Sequence, residues 1–314
     1  MLFHPKSFFL IAVSASALFV SACSRTHTSE AQELHTVTLG PDFSLELPVH
    51  VSRLVPANGA VLDFCAALIG PDRVAALPKA SLRYSNIAEA DRAPWQALPV
   101  MEGLHMEDLV SAKVDLVIAH DWQEASLAPV LKRAGIPVLF LPTVASVDDI
   151  LRSMHWVAVA LNVPDKGVEQ NTLLRERAAK LAENSKLLTG TTAMVYSNYG
   201  AGGGTSGSGT SYDVMIQLAG LTNAAAAAGI EGNQDLSLEG LLSIQPDFLI
   251  LSGGPDGSSA SFDALAAQLD NAPLKAVQEK HIILLPPNEL TTTSQYLVNA
   301  AERMQQQVLT ASKQ

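Results

Sequence analysis

Cysteine is nearly absent: the 314 residues hold two, Cys23 and Cys65. With Cys23 close to the amino end and Cys65 otherwise alone, no disulfide framework is available, and the fold must be held by its core. Cys65 lies in the run VLDFCAALIG, beside Leu62 and Ile69 on the apolar side of an expected helix, and reads as a buried, inert thiol. Positive charge is also scarce. Lys and Arg number 20 against 31 Asp and Glu, the formal net charge is −11, and no basic run exists. Nucleic-acid binding needs clustered cations against phosphate, so that class of function is excluded. Enzyme signatures are missing too. The glycine-rich stretch 200–209 (GAGGGTSGSG) lacks the Gly-Lys-Ser/Thr ending of a phosphate loop, and neither Ser206 nor Ser208 sits in Gly-x-Ser-x-Gly. None of the eight histidines pairs four residues apart around a Glu, and there is no acidic calcium loop. No built-in metal or cofactor and no catalytic activity are expected.

Long apolar runs are missing except at the start. Lys6 precedes an uncharged apolar stretch over 8–20, which ends in Val20-Ser21-Ala22-Cys23. A charged start, a short apolar stretch and small residues before a cut define a signal peptide over 1–22, too short for a comfortable membrane span. Small residues followed by Cys resemble a bacterial lipoprotein box, in which Cys23 is lipidated and becomes the first residue. Losing 1–22 removes one charged residue, Lys6, and takes the net charge from −11 to −12. Residues 23–33, small and polar, read as a flexible tether. Ordered structure is expected from about Leu34.

What is present is a repeat. Residues 106–118 (MEDLVSAKVDLVI) align without a gap on 238–250 (LEGLLSIQPDFLI), matching Glu107 with Glu239, Leu109 with Leu241, Ser111 with Ser243 and Asp115 with Asp247. Each copy reads as a helix opening on Glu, a break, and an apolar strand. The flanking elements repeat as well. Strands over 51–56, 73–77, 115–119 and 137–141, with helices over 60–69, 106–112, 124–134 and 147–161, are followed by strands over 192–197, 222–226, 247–251 and 281–285, with helices over 212–219, 238–243, 261–269 and 294–310. Alternation at this spacing builds parallel sheets with helices on both faces. Two lobes are expected, over 34–164 and 187–314, each with its own core and a cleft between them. Residues 165–186 carry an apolar stripe of Leu173, Leu174, Ala178 and Leu181, and read as one helix of about 30 Å joining the lobes.

These stretches, together with SRLVPANGAVLDFCAALIGPDRVAAL, AGIPVLFLP and YGAGGGTSGSGTSYDVMIQLAGLTNAAA, resemble the periplasmic substrate-binding proteins of bacterial ABC importers, in the class handling ferric siderophores, cobalamin and haem. The resemblance covers the chain beyond the tether. It implies an α/β fold with two Rossmann-like lobes, parallel sheets and one long connecting α-helix (class III periplasmic binding protein-like). It also implies a monomer that delivers an iron chelate, a corrinoid or haem to importer permease subunits, so that any iron or cobalt is cargo. Glu107 and Glu239 fall where family members place one carboxylate per lobe to pair with permease arginines, a bidentate match that fixes orientation. The expected location is the periplasm or cell surface, lipid-anchored to a bacterial membrane. The first lobe departs from the family's usual Lys-Pro-Asp with Lys113-Val114-Asp115, while the second keeps Gln245-Pro246-Asp247; Tyr84 is followed by Ser85 and not Pro.

Ligands of open α/β sheets bind beyond the carboxyl ends of the strands. That rule nominates Asn58, Tyr84 and Trp122 from the first lobe, and Tyr199, Gly253 and Asn288 from the second. The aromatic faces suit a flat or macrocyclic ligand. His120 ends a strand; whether it or Tyr84 touches a metal centre stays open, as do the exact ligand, the membrane and the permease. No arginine group stands out. An exported lobed enzyme with an unrecognised cleft, or an anchored scaffold, are the alternatives.

Overall fold

The computed structural model describes residues 34–40, 43–198, 202–254, 258–269 and 273–311. The signal segment, the tether with Cys23, and Tyr199 lie outside the described residues. The first lobe runs β1 (Leu34–Gly40), β2 (Phe43–Pro48), β3 (Leu54–Pro56), α1 (Gly59–Leu68), β4 (Leu77–Pro78), α2 (Ser81–Tyr84), α3 (Ala93–Gln96), β5 (Val100–Met101), α4 (Met106–Ser111), β6 (Leu116–His120), α5 (Glu124–Ala134), β7 (Val138–Leu141) and α6 (Val147–Ala160). Helix α7 (Pro164–Ser185) follows. The second lobe runs β8 (Thr192–Val195), β9 (Ser197–Asn198), β10 (Gly203–Ser206), α8 (Ser211–Leu218), β11 (Thr222–Asn223), α9 (Ala224–Ala227), β12 (Asn233–Leu236), α10 (Leu238–Ile244), β13 (Phe248–Ser252), α11 (Ala260–Leu269), α12 (Lys275–Gln278), β14 (Ile282–Leu285), α13 (Pro287–Leu290) and α14 (Leu297–Ala311).

The main sheets are parallel, ordered β3-β6-β7 in the first lobe and β11-β8-β13-β14 in the second. The middle strands, LVIAH and FLILS, are buried along almost their whole length, because helices cover both faces. The repeat is also written in the backbone. Lys113 and Gln245, equivalent in the alignment, both take the left-handed conformation, at φ 50° and 51°. Asp115 then accepts from the backbone N–H groups of Ser52 and Arg53, at 2.7 and 2.9 Å, where the chain enters β3. Asp247 accepts in the same way from Thr192 N, at 2.9 Å, at the head of β8. Each Asp thus fixes the register between its own strand and the neighbour.

The cores do not divide as the repeat suggests. Outward-facing residues of each sheet do form separate clusters: Val55, Val117 and Ala119 with Leu109 and Leu131, and Met194, Leu249 and Leu251 with Leu241 and Leu265. The alternate residues, Leu54, Leu116 and Ile118 in one lobe and Val195, Phe248 and Ile250 in the other, belong to a single cluster that runs through both lobes. Period-two alternation sends one face of each sheet outward and the other to this shared interior. Leu174 and Leu181 of α7 and Leu297, Ala301 and Met304 of α14 bridge it.

Helix α7 is pinned to both sides. Toward the first lobe, Gly167 crosses α6 so closely that an added Cβ would lie 2.5 Å from Ala158 Cβ, and Asn171 donates to Leu151 O at 2.9 Å. Toward the second, Arg177 pairs with Glu302, and buried Gln305 donates to Leu181 O and Ala219 O at 2.8 and 3.1 Å. Of the expected stripe, Leu174 and Leu181 are buried, whereas Leu173 faces solvent.

Other elements differ from expectation. The run 73–77 meets the main sheet only at a Leu54–Val74 bridge, where Ala75 N donates to Leu54 O at 2.8 Å, because its end at Leu77 pairs with β5 instead. The run 222–226 turns helical after two residues, as the alanines following Asn223 favour helix over strand. The antiparallel β1–β2 pair packs on α6, where the Trp156 ring lies tilted against Phe43, with centroids 4.7 Å apart, and donates to Leu39 O at 2.7 Å. Part of the glycine-rich stretch forms β10, the centre of an antiparallel β12-β10-β9 sheet. A Cβ at Gly203 would sit 2.3 Å from the Tyr196 ring, so only glycine lets this strand cross it. Among the described residues, no helix is long and apolar enough to cross a membrane.

Candidate ligand cleft

The cleft region begins at the amino end of α1, where Asn58 caps the helix by accepting from Val61 N at 3.0 Å. Its amide donates to Gln123 Oε1 at 2.7 Å and to His120 Nδ1 at 3.1 Å. An amide nitrogen only donates, so Nδ1 of His120 accepts and the ring proton sits on Nε2, facing Thr293 Oγ1 at 3.1 Å. Burial pushes the His120 imidazole down to about 4, against a smaller opposing pull from Asp121. His120 is therefore a neutral, fully bonded strand-end residue, and Asn58 holds it so. Trp122, itself 65% exposed, stacks beside it at 6.1 Å.

The loop after α2 forms the next wall. Tyr84 is 37% exposed, with the Arg83 guanidinium 5.5 Å from its ring centroid. Gly59 explains the close approach of this loop: a Cβ there would fall 2.7 Å from the Tyr84 carbonyl carbon. Arg92 staples the loop from behind, donating to Ile87 O and Ser85 O, each at 3.0 Å. From the second lobe, Asn288 meets Asn86 in a reciprocal pair: Asn86 Nδ2 donates to Asn288 O at 3.1 Å and Asn288 Nδ2 to Asn86 Oδ1 at 3.0 Å. Beside this pair lies a cavity of about 390 Å³, lined by Arg83, Ile87, Glu89 and Arg92 of the first lobe and Pro286, Pro287 and Asn288 of the second.

Of the expected cleft residues, Asn288 lines this cavity; Tyr84 does not, although its neighbour Arg83 does. Asn58 and Trp122 stand at the His120 end. Gly253 is buried and donates to Leu285 O at 2.7 Å, at the end of β13. Arginines 83 and 92 were not anticipated; the signal was an Arg directly before the nominated Tyr84. A second, polar cavity of about 370 Å³ sits beyond the carboxyl end of β8, between Ser197, Thr205, Ser206, Tyr212, Asn233 and Asp235. A larger cavity, about 840 Å³, lies among Phe43, Arg152, Trp156 and Val168 on the flank of the first lobe. The second lobe contributes nothing to it, so size alone does not mark the cleft. Among the described residues, no cluster of three or more His, Cys, Asp or Glu could hold a metal ion.

Glu107 and Glu239 lie apart from these cavities. Each is exposed in the first turn of its helix, α4 or α10. The positive end of the helix dipole favours a carboxylate there.

A family model described as periplasmic binding protein matches residues 55–289. Solved structures share the fold. A periplasmic heme-binding protein, RhuT, from Roseiflexus sp. RS-1 is 24% identical, with 82% of this chain and 98% of that chain covered and a TM-score of 0.68. An ABC-type Fe3+-hydroxamate transport system protein from Saccharomonospora viridis is 21% identical, with 88% and 99% covered and a TM-score of 0.70. Helicobacter pylori CeuE, with Ni(II) bound, is 18% identical, with 89% and 90% covered and a TM-score of 0.73. No curated protein matches the sequence.

Proposed function

Since the chain belongs to the periplasmic binding protein family, we propose that it is an extracytoplasmic solute-binding protein, carrying an iron chelate, haem or a corrinoid to an ABC importer. The observation that carries this reading is the 390 Å³ cavity built jointly by the two lobes, lined by Arg83 and Arg92 from the first and Asn288 from the second. A polar, arginine-bearing cavity with Tyr84 alongside suits a ligand with a flat or macrocyclic body and at least one anionic group. Any metal arrives with the ligand. Glu107 and Glu239, on exposed helix starts of equivalent elements, are the docking carboxylates for permease arginines. Residues 34–164 and 187–314 act as the lobes on either side of the joining helix, and the carrier works as a monomer.

The test is thermal unfolding with haemin, ferric hydroxamate complexes and cobalamin in turn. A ligand bound only by the folded state, at a hundredfold excess over its Kd, stabilises by about 2.7 kcal/mol. Arg83→Gln should weaken an anionic ligand about tenfold or more and leave a neutral one unchanged. No stabilisation by any member of the panel counts against the reading. The sequence Val20-Ser21-Ala22-Cys23 supports acylation at Cys23 and attachment to the membrane. Cys23→Ala should release the protein from membranes or block its processing; unchanged detergent partitioning and mass would refute the anchor.

A further inference from the structure

One acid sits where an apolar helix should have none. Asp63 occupies the middle of α1, fully buried, between Leu62 and Phe64. Its carboxyl accepts from Ser85 Oγ and Asn86 N, both at 2.7 Å, from Asn86 Nδ2 at 2.9 Å and from Ser294 Oγ at 3.0 Å. Its backbone carbonyl accepts from Gln295 Nε2 at 2.9 Å. Asp63 therefore touches the cleft loop of the first lobe and, through 294–295, the segment that returns from the second. Asn86, which it holds by two bonds, is the partner of Asn288 across the cleft. The site also has room for a proton. Ser294 Oγ lies 2.9 Å from Thr292 Oγ1. If Ser294 turns its hydrogen to Thr292, it can accept from a protonated Asp63 without losing a bond.

We propose that Asp63 is the positioning residue of the cleft: the clasp made by Ser85, Asn86, Asn288 and 292–295 closes over the protonated carboxyl and loosens as the proton leaves. Burial pushes Asp63 up to about 6 from an ordinary 3.8, against the lowering effect of its hydrogen bonds. An opened clasp hydrates the carboxyl and returns it toward the ordinary value. The closed form then holds more protons between about 4 and 6, so it is tightest in acid and loosens as pH rises through that window, levelling off above 6. The titratable groups in electrostatic contact with Asp63 are Cys65 on its own helix and Tyr296 on the returning segment, both uncharged in this range. Arg73 acts on Cys65, and Arg177 and Asp91 act on Tyr296. Among the described residues, no cation forms an ion pair with Asp63. His120 lies under the same segment through Thr293 and titrates with the opposite sign, so it must be removed to see Asp63 alone.

The consequence for ligand rests on the proposed function: a ligand that enters the open cleft binds better as pH rises to 6. The clasp itself is tested without ligand. Hydrogen–deuterium exchange of the full-length His120→Gln chain, corrected for intrinsic rates, is followed from pH 4 to 8. Peptides covering Ser85 to Ile87 and 292–296 should open together, about tenfold more per pH unit up to 6, and then level off. In Asp63→Asn with His120→Gln the dependence should vanish. Thr292→Val keeps the carboxyl and removes the acceptor that Ser294 needs, so it should move the levelling point toward acid; it covers the case in which Asp63→Asn does not fold. A flat profile in His120→Gln, a slope retained in the double variant, or an unmoved levelling point in Thr292→Val each overturns the proposal.

Discussion

Replacing Gly167 with Ala tests the joint that holds the long helix to the first lobe. On an exposed helix this change stabilises by up to about 1 kcal/mol, because alanine has less backbone entropy to lose. Here the new Cβ would lie 2.5 Å from the Cβ of fully buried Ala158, where ordinary contact begins at 3.4 Å. Helices α6 and α7 must then part by roughly 1 Å, and overpacking of this kind costs about 1–3 kcal/mol. The steric term wins, and a net loss of about 1 kcal/mol is expected. The sign should reverse when Ala158 is glycine. In that background the methyl at 167 fills the space vacated at 158, and only the propensity gain remains. Urea unfolding of the four proteins closes the cycle, with the slope of each curve showing whether the two-state comparison holds. If Gly167→Ala stabilises the protein in both backgrounds, the helices do not cross where the structure places them.

Three further outcomes are expected. Stability of the wild type should change little between pH 4 and 6. Asp63, held up at about 6, makes the folded state bind more protons and lose stability as pH rises, while His120, held down at about 4 from 6.5, makes the unfolded state bind more and does the reverse. Asp63→Asn should unmask the His120 effect, a rise of about 3 kcal/mol from pH 4 to 6.5 in denaturant midpoints; a flat profile in the variant would refute the assignment. Glu107→Arg with Glu239→Arg should abolish uptake in cells while the purified protein keeps its ligand affinity, each single change doing partial damage, and normal transport by the double variant would rule out the docking role. X-ray scattering profiles with and without ligand should nearly coincide, because one core and one helix tie the lobes; a marked compaction on binding would contradict that.

The repeat made much of this fold legible. An apolar strand preceded by a Glu-led helix, found twice, carried the parallel sheets, the helix between them and the equivalence of Asp115 with Asp247. What the residues could not announce was the left-handed turn at Lys113 and Gln245, since neither is glycine; it follows from the need to bring each Asp back onto the neighbouring strand. The shared core was hidden for another reason. Strands buried on both faces read as continuous apolar runs, so their alternation between an outer and a common inner cluster leaves no trace in the pattern. Glycine density in 200–209 carried no phosphate-loop or nucleophile signature, and its structural use stayed hidden: Gly203 marks a strand crossing close over Tyr196. The cleft was least legible. Arg83 and Arg92 lie in a segment of short turns without periodicity, and they meet Pro286 to Asn288 only through contacts spanning some 200 residues. Asp63 did leave a signal, a lone acid in VLDFCAAL, which apolar patterning absorbed into a helix face.

The same shared core limits what the cleft can do. Wide lobe closure would have to shear the buried cluster that runs from Leu54 to Met304, and close-packed interiors resist such deformation. Adjustment is then left to segments that the cluster does not own: the loop of Arg83, Tyr84 and Asn86, the turn of Pro287 and Asn288, and the returning stretch 292–295. These are the segments that polar groups hold together, through Asn86 with Asn288, Thr293 with His120, and Ser294 with Asp63. Hydrogen bonds of this kind are each worth about 1 kcal/mol net, small enough to be exchanged for bonds to a ligand. An apolar interior fixes the frame, and a polar seam at its edge is the part free to respond. That division accounts for both the buried acid in α1 and its position beneath the cleft loop, since a group that governs the seam must reach it from the rigid side.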